Sequence, residues 1–288
     1  MAAPTNEARW LVERASGYQG AELVAAEGEP APERAQLHLA AMLARRAAGE
    51  PLQYVLGVWS FRGRDLLVDS RVLIPRPETE VTAEVAIEEM QRLGAGRKPL
   101  RRRSSLDETD AQFLVADLGT GSGAVALALA VELRDAQVWA TDISAEALAV
   151  ARANLAGAGQ PAARVRLAEG DWFDALPPEL RGRLRVIVTN PPYVAEHELA
   201  ELPREVADYE PVRALISGPT GLEAIDAVVD AAPEWLEPGT GALVCELAPH
   251  QADAAVERAR AAGFAEAFVR LDLAGRARVL VARIAGVR

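Results

Sequence analysis

The segment Thr189-Asn190-Pro191-Pro192-Tyr193 concentrates hydrogen-bond acceptors on a stiff stretch of backbone. It follows the apolar run 184–188, and such a run closed by Asn-Pro-Pro predicts a buried strand that leads into a rigid loop. Because proline has no backbone N–H and holds φ at about −65°, the loop offers carbonyl acceptors without competing donors. Asn190 adds a side-chain oxygen and Tyr193 adds a flat face. Acceptors beside a planar surface suit an –NH2 group, and that chemistry needs a reagent bound nearby.

A glycine-rich segment could bind that reagent. Asp117-Leu118-Gly119-Thr120-Gly121-Ser122-Gly123 stands where a predicted strand turns into a helix. Glycines allow a tight turn and let a ligand touch the backbone. Asp142 ends the next predicted strand, where its carboxylate can accept both hydroxyls of a ribose. Because ligands of open α/β sheets bind at the carboxyl ends of the strands, these residues predict a cofactor site.

The glycine spacing alone leaves two cofactor classes open. Gly119-x-Gly121-x-x-Ala124, with Asp142 following, also fits the dinucleotide fingerprint, so an NAD-dependent oxidoreductase competes with other uses. Asp117 would repel a pyrophosphate and attract a cationic ligand head. The segment 170–173 follows the third strand, where Asp171 and Trp172 could hold the amino edge and the face of an adenine.

The wider pattern alternates strands and helices from residue 113 onward. It predicts a doubly wound, mostly parallel α/β sheet of seven strands, closed by an antiparallel C-terminal hairpin of 268–271 and 277–281. The other five strands are expected at Phe113–Ala116, Gln137–Thr141, Arg164–Ala168, Leu184–Val188 and Ala242–Glu246. Helices are expected at Ala124–Leu133, Ala145–Ala156, Gly221–Trp235 and Gln251–Ala262.

Three regions are predicted along the chain. Residues 1–52 form a small helical N-terminal domain, 53–75 a β-hairpin connector, and 76–288 the catalytic domain, in which 91–110 is a flexible charged linker. The basic run in that linker could also dock an RNA-rich partner. In the N-terminal domain, the helix Glu33–Ala48 is predicted to turn Leu37, Met42 and Leu43 inward. The connector hairpin is predicted from 54–63 and 66–69.

Composition excludes several classes of protein. The 288 residues carry a formal net charge of −11, which argues against tight, sequence-independent binding to nucleic acid. The chain has no apolar run near the ~20 residues that span a bilayer and no signal-peptide pattern, so we expect no membrane association. Cys245 is the only cysteine, which suits a reducing cytoplasm, and we expect it to be buried. The three histidines lack ligand spacing, so no metal site is predicted.

Together, these motifs resemble the class I methyltransferases that use S-adenosylmethionine, and more narrowly the HemK/PrmC family of glutamine methyltransferases. The resemblance runs from about residue 50 to the end. Its narrower marker is Pro75-Arg76-Pro77-Glu78-Thr79-Glu80, because Asn-Pro-Pro-Tyr alone is shared with adenine amino-methyltransferases of DNA. Further matching segments are Tyr209-Glu210-Pro211 and Asp272-Leu273-Ala274-Gly275-Arg276.

The resemblance implies a cofactor, a substrate and roles for these residues. S-adenosylmethionine would contact Asn190 and lie on Gly119, Thr120, Gly121, Ser122 and Gly123, with Asp142 on the ribose and Asp171 and Trp172 at the adenine. A glutamine of a peptide chain release factor would be held by Asn190, Pro191, Pro192 and Tyr193. Asn190 and Pro191 would accept the two N–H bonds of its amide and so act in catalysis. The N-terminal helices would help to recognise the release factor, and we expect a monomer.

Four alternatives stay open at this point. A related branch of the family modifies a glutamine of a ribosomal protein. A DNA adenine methyltransferase should carry a basic cleft, which the acidic balance argues against. An NAD-dependent oxidoreductase would bind NADH rather than S-adenosylmethionine, and a non-catalytic binding module would need neither.

Overall fold

The computed structural model describes residues 4–94 and 113–285. Its N-terminal part consists of helices α1 (Pro4–Ser16), α2 (Ala21–Ala25), α3 (Glu33–Ala47) and α4 (Leu52–Leu56). A small core joins them, and Met42 of α3 lies in it with 1% of its surface exposed. The inward prediction is wrong for Leu37 and Leu43, which are 66% and 49% exposed. The buried stripe of α3 runs through Ala35 and Met42, seven residues apart, and both leucines lie off that face.

The predicted hairpin is shorter than expected at its start. Residues 54–56 belong to α4, and the two strands are β1 (Val58–Phe61) and β2 (Arg64–Leu67), which pair antiparallel. Gly57 ends the helix with φ +69°, a conformation that stops a helix at low cost for glycine. Tyr54 is buried and donates its hydroxyl to the Val72 carbonyl at 2.5 Å, so the connector is fastened to the segment that follows it.

Helix α5 (Pro77–Gly94) begins at a proline and carries Glu78 and Glu80 in its first turn, as its sequence predicts. Residues 91–94 of the predicted linker therefore belong to a helix. The remainder of that linker, 95–110, lies outside the described residues. Arg92 donates to Glu89 at 2.9 Å within the last two turns of α5.

The central sheet has seven strands: β3 (Phe113–Leu118), β4 (Ala136–Asp142), β5 (Val165–Glu169), β6 (Leu184–Thr189), β9 (Ala242–Glu246), β10 (Glu266–Leu271) and β11 (Ala277–Arg283). Their order across the sheet is β10-β11-β9-β6-β3-β4-β5. Neighbours among β9, β6, β3, β4 and β5 pair parallel, and β11 pairs antiparallel with both β10 and β9. This confirms the predicted fold class, including the C-terminal hairpin.

Helices cover both faces of the sheet, because the central strands are apolar on both sides and β6 is buried throughout. The helices of this part are α6 (Ala124–Glu132), α7 (Ala145–Ala156), α8 (Arg204–Ala207), α9 (Val212–Leu215), α10 (Glu223–Trp235) and α11 (Ala252–Ala261). A short pair of strands, β7 (Val194–Ala195) and β8 (Ile216–Gly218), follows the Asn-Pro-Pro loop. Cys245 is buried in β9, as predicted. Within the described residues, no helix combines the length and the apolar character needed to cross a membrane.

Candidate active site

The predicted motifs meet at one edge of the sheet. Leu118 is in register with Thr141 on one side and Thr189 on the other, so the glycine turn, Asp142 and Asn190 follow three neighbouring parallel strands. Chain order reverses between β3 and β6, which is where open α/β sheets form their ligand crevice. A cavity opens at this position with an empty volume of about 1050 Å³, part of it continuous with solvent.

The glycine turn presents its backbone to the cavity. Gly119 and Gly121 adopt φ values of +70° and +55°, which favour glycine, and both line the cavity together with Thr120 and Ser122. Gly123 does not line it. A side chain added at Gly123 would lie 3.2 Å from the Ala151 Cβ, so this glycine allows α6 to approach α7 closely.

Asp142 fastens the turn to the end of β4 and lies in the cavity wall. Its Oδ2 accepts from the Gly121 N–H and its Oδ1 from the Ser144 N–H, both at 2.9 Å. Each carboxylate oxygen retains capacity for a further hydrogen bond. Desolvation raises the pKa of Asp142, while the two backbone N–H groups and Arg213 act in the opposite direction. The carboxylate can therefore accept hydroxyl groups from a ligand without losing its hold on the turn.

Asp117 has a more structural place than its sequence position predicts. Its Oδ2 accepts from the Thr120 hydroxyl at 2.6 Å and from the Ala126 N–H at 3.0 Å, which ties the turn to α6. Burial raises the pKa of Asp117 to about 7. Asp117 thus holds the shape of the glycine turn, and its predicted attraction for a cationic ligand stays a prediction.

Asn190 lies in the cavity wall with its carboxamide oriented. Its Nδ2 donates to the Thr79 Oγ1 at 3.1 Å, across 111 residues of sequence. That bond occupies the nitrogen end of the carboxamide, so the oxygen Oδ1 is the end available to a ligand. Asn190 lies at the cavity as its position after β6 predicts, and its role as an acceptor for an N–H group stays a prediction.

The rest of the Asn-Pro-Pro-Tyr loop divides between the cavity and the core. Pro192 lines the cavity, whereas Pro191 is buried and Tyr193 packs against the core beneath α10. The Gln251 side-chain nitrogen donates to the Tyr193 carbonyl and to the Gly221 carbonyl, each at 2.9 Å. These two bonds fix the loop to the segment before α10. Burial raises the pKa of Tyr193 to about 12. The substrate roles of Pro191 and Tyr193 remain predictions.

Asp171 and Trp172 also lie at the cavity, after β5. Trp172 adopts φ +41°, an uncommon value for a bulky residue. Its ring lies against the glycine turn, because a side chain added at Gly119 would come within 3.5 Å of the indole. Asp171 is exposed beside it. The structure thus brings together nine of the twelve predicted site residues: Gly119, Thr120, Gly121, Ser122, Asp142, Asp171, Trp172, Asn190 and Pro192.

One whole wall of the cavity has no predicted role in the sequence. It comes from eight residues of two segments and the start of α5: Arg71, Val72, Leu73, Pro75, Thr79, Pro211, Arg213 and Ala214. The two segments are fastened by Glu210, whose buried carboxylate forms an ion pair with Arg76 and accepts from the Ile74 N–H at 3.2 Å. Desolvation raises the pKa of Glu210, and Arg76 opposes that rise. The motifs 75–80 and 209–211 were the available signal, since both are markers of the resemblance.

The lining suits a ligand of mixed character. Apolar side chains such as Val72, Ile143 and Trp172 alternate with the carboxylates of Asp117 and Asp142 and with two cations, Arg71 and Arg213. S-adenosylmethionine combines an aromatic base, ribose hydroxyls, a positive sulfonium and amino group, and a carboxylate. The residues present fit such a molecule.

Comparison with known proteins places these features in a family. Residues 1–57 match the family description "PrmC N-terminal domain", and residues 103–205 match "Methyltransferase small domain". The chain is 40% identical to a release factor glutamine methyltransferase of Bordetella pertussis, over 96% of this chain and 93% of the relative. It is 38% identical to one of Burkholderia pseudomallei, over 97% and 92%. The fold is similar to a methyltransferase crystal structure from Pyrococcus furiosus, with a TM-score of 0.52 and 17% identity over 88% of this chain and all of that one.

Proposed function

This chain belongs to the family of release factor glutamine methyltransferases, and we propose that it methylates the side-chain amide nitrogen of a glutamine in peptide chain release factors. Family membership confirms the predicted resemblance and decides against an NAD-dependent oxidoreductase. The observation that carries the proposal is the carboxamide of Asn190, held by Thr79 so that Oδ1 is left for an N–H donor at the edge of the cavity.

The proposed methyl donor is S-adenosylmethionine, which supplies a methyl group on a positively charged sulfur. Gly119 to Ser122 would contact it through their backbone, and Asp142 would accept its ribose hydroxyls. Trp172 would lie on the adenine and Asp171 at its amino edge. This assignment is supported by the position of these side chains around one cavity and by the remaining acceptor capacity of Asp142.

The proposed task of the amide side is alignment. An amide nitrogen is a weak nucleophile because its lone pair is delocalised into the carbonyl. Asn190 Oδ1 and the Pro191 carbonyl would accept its two N–H bonds and fix the direction of the lone pair. Good alignment of reacting groups can contribute roughly 7–11 kcal/mol, so alignment should contribute more to the rate than activation of the nitrogen does. Neutral acceptors also suit a step in which a positive charge disappears.

Recognition of the release factor is proposed to involve the N-terminal helices. Val24, Leu37 and Leu43 are 65%, 66% and 49% exposed there, so they offer apolar surface to a protein partner. The active form that we propose is a monomer. Release factors act on ribosomes, so the proposed function puts the enzyme in the cytoplasm.

The test is incubation of the purified protein with release factors and isotope-labelled S-adenosylmethionine, followed by mass mapping of the modified residue. We expect one glutamine side chain to gain one methyl group, and the variant Asn190→Ala to methylate it at least about 100-fold more slowly. Ribosomal proteins and DNA serve as parallel substrates. Label on either of these, with none on the release factors, would contradict the proposed function.

A further inference from the structure

A buried carboxylate lies directly behind Asn190. Glu246 is the last residue of β9 and has no exposed surface. Strands β6 and β9 are parallel neighbours with Thr189 in register with Cys245, so Asn190 and Glu246 occupy the next pair of positions. No role in the predicted chemistry falls on Glu246.

The first turns of α5 supply two hydroxyl groups between these residues. Thr79 and Thr82 are three residues apart and therefore share a helix face. The Thr82 hydroxyl donates to Glu246 Oε2 at 2.9 Å. The Thr79 hydroxyl, which accepts from Asn190 Nδ2 at 3.1 Å, lies close enough to the same carboxylate to lower its pKa. Glu246 Oε1 is buried and has no hydrogen-bond partner in the part of the chain that the structure describes, so it is an open acceptor beside the Thr79 hydroxyl.

We propose that Glu246 is a positioning residue, which acts through the Thr79 hydroxyl to fix the end of the Asn190 carboxamide that faces the substrate. An ionised carboxylate only accepts hydrogen bonds, so the Thr79 proton is drawn to Oε1. Thr79 then turns its lone pairs to Asn190. The amide nitrogen can donate to those lone pairs, whereas the amide oxygen would be repelled. This inference rests on the proposed function, in which Oδ1 receives the glutamine N–H.

The same chain of groups also polarises the acceptor. Hydrogen bonds in series strengthen one another, by about 10–30% per bond. Donation by Nδ2 shifts electron density within the amide toward Oδ1, which makes it a better acceptor for the glutamine. Removal of either the hydroxyl or the charge should therefore weaken alignment without touching the cofactor turn.

The charge of Glu246 is set by groups from every element around it. Desolvation is the main cause that raises its pKa to about 7, and Glu78 of α5 acts in the same direction. The Thr82 and Thr79 hydroxyls and the Arg278 guanidinium of β11 lower it. Burial raises the pKa of Tyr193 in the loop and of Cys245 in β9, and the charge of Glu246 adds to the rise in both. The ionised fraction of Glu246 therefore increases as the pH rises through neutrality.

The direct test observes the carboxamide itself. The sequence contains three asparagines, Asn6, Asn154 and Asn190, so selective ¹⁵N labelling gives three side-chain amide signals. We expect the Asn190 signal to titrate with a midpoint at about pH 7 and to lose that titration in Glu246→Gln and in Thr79→Val. Asn154 donates to the Leu67 and Ser122 carbonyls and is the internal control, with no titration expected. An Asn190 signal that still titrates in Glu246→Gln would overturn the proposal.

Kinetics at saturating cofactor provide the second test. Thr79→Val keeps the shape of the side chain and should lower kcat about tenfold or more, while Thr79→Ser should recover it to within about threefold. Thr82→Val is the matched control, because it removes the other hydroxyl on Glu246 without contact to Asn190. It should move the acidic limb of the pH profile upward and leave the plateau of kcat in place. Equal plateaus for wild type and Thr79→Val would contradict the proposal.

Failure of the proposal and failure of the proposed function are distinguishable. A wild-type protein that methylates no release factor contradicts the function, while the ¹⁵N titration still decides whether Glu246 orients Asn190. If Thr79→Val does not fold, the near-isosteric Glu246→Gln decides by the same signal. Cofactor binding by calorimetry, which should stay within about threefold for all four variants, verifies that the cavity is intact.

Discussion

The two sides of the cavity are built differently. On the cofactor side, Asp142 accepts backbone N–H groups from Gly121 and Ser144, so the geometry follows from short stretches of sequence at two strand ends. On the amide side, Asn190 is held by Thr79 from 111 residues away, and the wall beside it by Glu210 and Arg76 from segments 134 residues apart. Substitutions within the glycine turn or near Asp142 should therefore disrupt the cofactor side. The amide side can also be disrupted by substitutions far from Asn190 in sequence.

The largest expected effect is on the distant wall. Arg76→Ala leaves the buried carboxylate of Glu210 without its partner. Because the Arg76 side chain is 31% exposed, the loss of stability should be at most about 3–5 kcal/mol, the cost of removing one member of a fully buried ion pair. Chemical denaturation measures the loss. The control is Arg270→Ala, which breaks an exposed pair with Glu88 and should cost no more than about 1 kcal/mol. Equal losses for the two variants would mean that the Glu210 pair does not hold the wall.

Asn190→Ala isolates the amide side. Loss of a group that aligns the reacting atoms should lower kcat by about 100- to 1000-fold, as for the removal of one donor from an oxyanion hole. Cofactor affinity should stay nearly unchanged, since the glycine turn and Asp142 are untouched. Single-turnover rates and calorimetry on the same preparation separate the two. Turnover at the normal rate would show that Asn190 does not hold the amide.

The pH dependence of stability tests the burial of Glu246. Its pKa is raised in the folded protein, so its contribution to stability is full below the unfolded pKa and is lost as the pH rises through about 7. Glu246→Gln cannot ionise and so avoids that loss. The free energy of unfolding of the variant relative to wild type should therefore be higher at about pH 8 than at about pH 5, by up to about 3 kcal/mol. Thermal unfolding at both values checks the sign. If Glu246→Gln changes the stability equally at the two pH values, Glu246 does not titrate in this range.

Asp142→Asn isolates the cofactor side with a smaller effect. The neutral amide keeps one acceptor for the backbone but weakens the hydrogen bonds to ligand hydroxyls. We expect cofactor affinity to fall by about 10- to 100-fold, with kcat at saturation changed far less. Calorimetry with S-adenosylmethionine measures the first and steady-state kinetics the second. A fall confined to kcat would contradict the division between the two sides.

The contrast also explains how far sequence goes for this molecule. The bounds of the seven sheet strands and of α6, α7, α10 and α11 follow from periodicity to within two residues, whereas the short elements α8, α9, β7 and β8 are not predicted. The glycine turn and Asn190 reach the cavity because strand ends of a parallel sheet share one edge. Leu37 and Leu43 were predicted wrongly because an Ala-rich helix has more than one apolar stripe, and packing with α1 and α4 selects the one through Met42. Tyr54–Leu56 joined a helix instead of the hairpin because the buried contacts of α4 override strand propensity.

The roles of Thr79, Glu210 and Glu246 could not be predicted in this way. Each acts through a partner on a distant segment, and a single sequence shows a buried carboxylate only as a charge at the end of a strand. Gly123 is the converse case, because its spacing fits the cofactor motif while its Cβ position is limited by Ala151. The roles of all four residues depend on tertiary contacts, which the periodicity of the sequence does not encode.

A crystal structure of the protein with the demethylated cofactor and a glutamine peptide of a release factor tests the central claim most directly. We predict the glutamine nitrogen within about 3.2 Å of Asn190 Oδ1, with Nδ2 still on Thr79. A glutamine bound elsewhere, or a carboxamide turned so that Oδ1 faces Thr79, would contradict the account.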